Sequence, residues 1–163
     1  MSQRLVLFID SVHPILEEKL SHAGFLCQRH FKTTFEELQN ILPQAYGLVI
    51  RSRFTIDETF LAFCPNLQFI ARSGSGLENI DVKLCQALNI RLYNSPEGNR
   101  NAVAEHALGM LLGLMNKLNK AHQEVRNGVW DREANRGEEL DGKTIGIIGY
   151  GNNGAAFAKK LRG

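Results

Sequence analysis

An excess of either charge is missing from this chain. Lysine and arginine number 19 against 17 aspartate and glutamate, a net +2 over 163 residues, so no electrostatic footprint for nucleic acid or an anionic membrane is present. Cysteine is scarce. Cys27, Cys64 and Cys85 are odd in number, widely spaced and form no CxxC pair, which argues against a disulfide framework and leads us to expect reduced thiols in the cytoplasm. Cys27 and His30 could open a metal site, but no second pair follows, so no metal is expected. Long apolar runs are also absent: the longest, Ala107 to Met115, is too short to span a bilayer, and Leu5 to Ile9 is too short for the core of a signal peptide. No internal repeat or low-complexity tract is present, and no targeting segment is expected. What remains, 44% apolar and 22% charged residues, describes an ordinary globular chain about one domain in length.

The most informative stretch runs from Lys143 to Gly154, where Gly149-Tyr-Gly-Asn-Asn-Gly154 follows an apolar run and precedes a helical pattern. Ile145, Ile147 and Ile148 predict a strand buried on both faces, and Ala155 to Leu161 predict a helix packed on it. In a turn of this kind Gly149 permits the tight bend. Gly151 lets backbone approach a pyrophosphate, and Gly154 lets the helix lie close to the strand with its N-terminal amides toward the anion. The alternative is a glycine-rich turn that binds nothing; the strand and helix on either side favour the dinucleotide site. The acidic strand end that grips a ribose hydroxyl would fall beyond Gly163, so NAD and NADP both stay open.

From residue 4 to about 93 short apolar runs alternate with amphipathic stretches, the pattern of a parallel sheet covered by helices. Strands are predicted at Leu5 to Ile9, Phe25 to Arg29, Gly47 to Ile50, Phe69 to Ala71 and Ile90 to Tyr93. Helices are predicted at Pro14 to Ala23, Thr34 to Leu42, Asp57 to Phe63 and Asp81 to Ala87. Pro14 suits a first helical turn, Gly24 a helix terminus, and Asp57 and Asp81 are N-cap residues. The expected fold is therefore α/β, a flavodoxin-like doubly wound sheet, whose ligands sit beyond the carboxyl ends of the strands. Those ends are Asp10 to His13, Arg51 to Thr55, Ser73 to Gly76 and Asn94 to Gly98. A domain boundary is expected between Asn94 and Asn101. Ala104, Ala107, Leu108, Leu111, Met115, Leu118, Ala121 and Val125 then predict one long helix ending at Asn127-Gly128, followed by an irregular arm around Trp130.

Taken in order, Arg51-Ser-Arg, Phe69-Ile-Ala-Arg-Ser-Gly-Ser-Gly-Leu-Glu-Asn-Ile-Asp81, Asn94-Ser-Pro-Glu-Gly-Asn99, Val103-Ala-Glu-His106, Val125-Arg-Asn-Gly-Val-Trp130 and Leu140 to Gly149 resemble the D-isomer-specific 2-hydroxyacid dehydrogenases over essentially the whole chain. The resemblance implies a substrate-binding domain over residues 1–98, a long interdomain helix, and an incomplete NAD-binding Rossmann domain over residues 99–163. It implies that Ser73, Gly74, Ser75 and Gly76 offer backbone amides to a substrate carboxylate. Arg51 and Ser52 would help hold the acid or its phosphate, as suits a guanidinium, although a surface salt bridge is the plainer reading of Arg51 alone. Ser75 and Val103 would approach the nicotinamide cofactor, and Gly149, Gly151, Asn152, Asn153 and Gly154 its phosphates. The family usually has an apolar residue where Asn153 stands.

The reaction implied is hydride transfer between NAD and a D-2-hydroxy acid, with 3-phosphoglycerate, a precursor of serine, as the expected acid. It needs a histidine acid or base, a glutamate that orients it, and an arginine that polarises the oxygen. In the family all three lie after the point corresponding to Gly163, so no catalytic residue is assigned here and the chain is expected to be inactive alone. Glu105 and His106 are adjacent on a helix, about 100° apart around its axis, and are expected to be ordinary helix residues. A homodimer is expected through the 99–127 helix and the Trp130 arm, because that helix has more apolar surface than one small domain covers. The alternative reading is a non-catalytic module that binds a small anion or a partner protein. Because the Ile145 to Ile148 strand lacks parallel neighbours, Val129 to Gly163 are expected to pack poorly or to borrow a partner's surface.

Overall fold

A computed structural model describes residues 4–162, which divide into two compact units between Pro96 and Glu97. In the first unit five parallel strands, β1 (Leu5–Phe8), β2 (Leu26–Arg29), β3 (Ala45–Ile50), β4 (Phe69–Arg72) and β5 (Arg91–Tyr93), form one sheet in the order β2-β1-β3-β4-β5. This is the doubly wound order expected of a flavodoxin-like α/β fold. Helices α1 (Ile15–His22), α2 (Phe35–Leu38), α3 (Glu58–Leu61) and α4 (Val82–Ala87) make the crossovers.

Side chains that alternate along a strand point to opposite faces, and the two faces have separate cores. Leu5, Leu7, Ile9, Leu48, Ile50 and Ile70 pack with Leu38, Phe60, Leu61 and Cys85 from α2, α3 and α4. Val6, Phe8 and Val49 point the other way, against Leu16 and Leu20 of α1. Within this unit α1 leaves the β4 and β5 side of that face open as a groove of about 460 Å³, lined in part by Tyr46, Phe69 and Tyr93. Gly47 belongs to the same face: a Cβ there would lie 2.2 Å from Cζ of Phe69, so only glycine lets the Phe69 ring cross β3.

The helix starts follow local chemistry. Thr34 and Glu37 form a reciprocal capping box, Asp57 accepts from the Phe60 amide, and Asp81 accepts from the Leu84 amide. Each such cap contributes about 1 kcal/mol. Gly24 ends α1 with φ +87°. The helix expected over Thr34 to Leu42 is shorter: it stops after Leu38, and a separate 3-10 turn at Leu42–Gln44 follows, with Pro43, which has no N–H to extend a helical ladder, in its first turn.

The second unit contains α5 (Arg100–Met115), α6 (Leu118–Arg126) and α7 (Asn152–Leu161). The single helix expected across residues 99–127 is thus two. Lys117 takes a left-handed conformation (φ +52°), and the arm docks on the broken turn. There the Glu138 amide donates to the Met115 carbonyl, and Lys117 Nζ donates to the Ala134 carbonyl. Insertion of outside donors into a helical ladder is a known cause of such breaks. The strand expected at Ile145 to Ile148 is also corrected. Among the described residues nothing pairs with it, and Ile148 is fully exposed. A parallel strand gains nothing from extended backbone unless neighbours bond to it. The helix expected after it is present as α7.

Candidate functional site

At the carboxyl edge of the sheet the chain leaves β1 at Asp10, β3 at Arg51 and β4 at Ser73. Asp10 Oδ2 accepts from the Arg51 amide at 2.5 Å and from the Arg53 amide at 3.4 Å, which draws the β1 and β3 ends together. The Arg53 guanidinium turns inward and donates to the carbonyls of Ile9, His30 and Thr33. Arg53 is therefore a structural tie. Arg51 and Ser52, by contrast, are exposed and free to meet a ligand.

The loop after β4 is held from both sides. The Ser73 amide donates to the Ile50 carbonyl and the Gly74 amide to the Arg72 carbonyl. Ser95 N–H donates to the Gly74 carbonyl, and Asn94 Nδ2 donates to the Ser75 carbonyl at 2.6 Å. Of the four amides predicted to face an anion, those of Ser73 and Gly74 are thus already committed. The Ser75 and Gly76 amides donate to no protein acceptor among the described residues. A Cβ on Gly74 would lie 2.6 Å from an Arg72 guanidinium nitrogen, and one on Gly76 would lie 1.9 Å from the Glu78 carboxylate. Both glycines therefore make room for a charged neighbour.

Sequence reasoning placed Asp10 at this edge and Arg72 and Asn79 in the Phe69 to Asp81 motif, but it gave none of the three side chains a role. Arg72 Nε and Asn79 Nδ2 both donate to the Arg51 carbonyl, and an Arg72 guanidinium nitrogen lies 3.8 Å from the Glu78 carboxylate. Asp10 and Arg72 stand at strand ends, whereas Asn79 lies in the loop before α4.

In the second unit the glycine turn lies between the unpaired Ile145 to Ile148 segment and α7. Gly149 is left-handed at φ +88°, and a Cβ on Gly154 would lie 2.1 Å from the Gly149 carbonyl oxygen. Open space surrounds the Cα of Gly151. Gly151 caps α7 without a side-chain bond, and the first amide to close a helical bond is that of Ala155, on the Gly151 carbonyl. The amides of Asn152, Asn153 and Gly154 have no partner among the described residues at the positive end of the helix, an arrangement suited to a phosphate.

Val103 lies in the first turn of α5 and is exposed. The neighbouring Glu105 does not engage His106; its carboxylate takes Lys160 Nζ at 2.7 Å, and that hydrogen bond holds its pKa below the usual value. His106 is exposed. The described residues contain no cluster of three metal-ligating side chains and no helix long and apolar enough to cross a membrane.

The sequence profile of the D-isomer specific 2-hydroxyacid dehydrogenase catalytic domain matches residues 6–158. A hydroxypyruvate reductase from Thermotoga maritima is 38% identical over 125 residues, covering 77% of this chain and 41% of that protein. A D-3-phosphoglycerate dehydrogenase from Archaeoglobus fulgidus is 36% identical over 152 residues, covering 91% of this chain and 29% of that protein. Among solved structures, an NADPH-dependent glyoxylate/hydroxypyruvate reductase from Sinorhizobium meliloti, in complex with NADP and malonate, superposes with a TM-score of 0.76 at 26% identity. That superposition covers 99% of this chain and 50% of the other. The chain spans less than half the length of the curated relatives it matches.

Proposed function

The chain belongs to the D-isomer specific 2-hydroxyacid dehydrogenases, and from that membership we propose that it is the acid-binding portion of such an oxidoreductase, joined to the opening of its dinucleotide site. The observation that carries this reading is the pair of uncommitted amides at Ser75 and Gly76, on the same sheet edge as the exposed Arg51 and Ser52. Two adjacent N–H groups and a guanidinium suit a carboxylate, or a carboxylate with a phosphate on the same small molecule.

In this reading the acid's carboxylate lies on the Ser75 and Gly76 amides, with Ser73 and Gly74 shaping the loop, and Arg51 takes the remaining negative charge. 3-Phosphoglycerate is the proposed acid and serine biosynthesis the proposed setting; relatives named for phosphoglycerate and for hydroxypyruvate both match well. The residues present fit a dinucleotide pyrophosphate. Gly149 and Gly154 close the turn, Gly151 leaves backbone open, and the Asn152 and Asn153 amides face outward, with Val103 and Ser75 proposed to approach the nicotinamide. When bound, NAD supplies or accepts the hydride. The assignment of NAD over NADP rests on the family resemblance, and the Sinorhizobium relative binds NADP. No acid or base for the hydroxyl proton is assigned within residues 1–163. Glu105 is taken by Lys160, so the chain alone is proposed to bind without turning over.

Supporting a homodimer through α5, α6 and the arm are the exposed Met110, Leu114, Leu118 and Val125, and Trp130, which is 82% exposed. The free thiols Cys27, Cys64 and Cys85 fit the cytoplasm.

Calorimetric titration of the chain with 3-phosphoglycerate, with D-lactate and with NADH tests the proposal. Saturable binding of 3-phosphoglycerate that weakens about tenfold or more in Arg51→Ala, from loss of a charge-assisted bond, is expected. Silence toward every acid would reject it. A second reading, a module that binds a small anion without chemistry, draws on one observation: apart from Ala104, every buried apolar side chain described lies in the first unit. Acid binding that NADH never alters would favour it.

A further inference from the structure

We infer that Asn79 is a positioning residue for the acid site, fixing the backbone from which Arg51 projects; the inference rests on the reading of Arg51 as the cation that holds the acid.

The Arg51 peptide is held on both sides by groups from three different parts of the chain. Its N–H donates to Asp10 Oδ2 at 2.5 Å, and its carbonyl accepts from Arg72 Nε at 3.3 Å and from Asn79 Nδ2 at 3.2 Å. The second amide hydrogen of Asn79 goes to the Phe54 carbonyl at 2.9 Å. The Asn79 backbone carbonyl also accepts from the Ile56 amide at 2.8 Å, beside the Ile56 to Ile80 bridge. One residue thus closes the segment 51–56 at three points, while the Arg51 side chain stays exposed.

The other half of the Asn79 amide shows what the residue is for. Its Oδ1 is buried and has no hydrogen-bond partner among the described residues. An unsatisfied buried acceptor is costly, and native proteins keep few of them without a compensating reason. The reason available here is the pair of donors on Nδ2. A leucine would fill the same space without the orphaned oxygen but would release both carbonyls. An aspartate would match the shape but set a carboxylate against two carbonyl oxygens. The short amide supplies two hydrogens in one plane to two acceptors three residues apart. Because the direction of a side chain follows from the φ and ψ of its own residue, freeing the Arg51 carbonyl lets the guanidinium sample directions that miss the acid.

The test uses the whole chain, D-glycerate as the probe, and the variants Asn79→Ala and Asn79→Asp. Both are expected to bind D-glycerate about tenfold more weakly than the wild type at pH 8, as befits two lost hydrogen bonds. As pH falls to 5, Asn79→Asp is expected to recover several-fold relative to the wild type. A carboxyl facing two carbonyls is protonated readily and regains one donor, whereas Asn79→Ala gains nothing. The charged neighbours Asp10, Arg72 and Glu78 are common to all three proteins, so the comparison is made as a difference from wild type at each pH. A merely structural loss would weaken both variants alike at every pH. Variants that remain folded and bind as the wild type does would overturn the inference.

A second readout needs no ligand. Amide exchange at Arg51, whose N–H is held by Asp10, should accelerate in both variants while the β1 and β3 amides keep their protection. Unchanged exchange at Arg51 would also overturn the inference. If the wild type binds neither D-glycerate nor 3-phosphoglycerate nor D-lactate, the acid-site reading fails, and exchange at Arg51 alone decides whether Asn79 positions it.

Discussion

Gly154 has no room for a methyl group. Its Cβ would meet the Gly149 carbonyl oxygen at 2.1 Å, a backbone atom that cannot swing aside, whereas nothing lies within 4 Å of a Cβ at Gly151. Gly151 also has φ −84° and ψ −151°, extended backbone at negative φ that does not demand glycine. Gly154→Ala is therefore expected to reduce the helical circular dichroism that α7 contributes, and Gly151→Ala to leave it unchanged. Spectra of the two variants check this, and equal spectra would mean that the turn is not closed by that contact. At Cys64 the same scale yields a pH dependence. Burial pushes its thiol up to about 12, while an unfolded thiol ionises at about 8.5. Below that lower value both states keep the proton and stability is unaffected. Between the two values the unfolded chain loses a proton that the folded chain keeps, so rising pH favours unfolding by about 1.4 kcal/mol per unit. Cys85 is raised too, by burial and then by the charge of Asp81, and shifts stability in the same direction. Urea unfolding at pH 8 and pH 10 should show the wild type losing about 2 kcal/mol more than Cys64→Val. Identical losses would show that Cys64 ionises freely in the folded state.

Among the elements, those set by local chemistry were legible in advance, and those set by a distant partner were not. The five strands of the first unit stood where short apolar runs meet turn residues, and the caps at Asp57 and Asp81 followed from residue type. The break at Asn116 and Lys117 carried no glycine or proline to announce it; it depends on the arm, whose Gly137 lies so near Asn116 that a Cβ would come within 2.9 Å of the Asn116 Cα. Ile145 to Ile148 have strand composition, but a strand exists only through its neighbours. The site divides in the same way. Arg51, Ser52 and the Ser73 to Gly76 loop were legible because they lie beyond strand ends. Asp10, Arg72 and Asn79 act through bonds to the backbone of residues far along the chain, which spacing does not show. The capping box at α2 turns local legibility into a number. Thr34 Oγ1 accepts from the Glu37 amide, and the Glu37 carboxylate accepts from the Thr34 amide at 2.8 Å. Thr34→Ala should cost about 1 kcal/mol in urea unfolding of the first unit, and Thr34→Ser should cost little. A loss as large in Thr34→Ser would place the effect in the threonine methyl group and not in the cap.

At the scale of the whole molecule, buried apolar surface is the main source of stability, and it is unevenly shared. The first unit has two cores, one on each face of its sheet, whereas in the second only Ala104 is buried among the described residues. Met110, Leu114, Leu118, Val125, Trp130 and Ile148 are all exposed there, more apolar surface than an isolated helical unit keeps in water without a partner. Local opening free energies follow buried contacts. Slow amide exchange is therefore expected to be confined to residues 5–93 and rapid exchange to residues 129–162, and uniform protection along the chain would contradict this. The α5 and α6 amides discriminate between two ways of covering that surface. If a second copy covers it, their exchange slows as protein concentration rises, in step with a dimer seen by sedimentation, because association stabilises by mass action. If only further chain of a longer polypeptide covers it, exchange in α5 and α6 stays fast at every concentration and sedimentation shows a monomer. The homodimer proposal requires the first result, and it fails on the second.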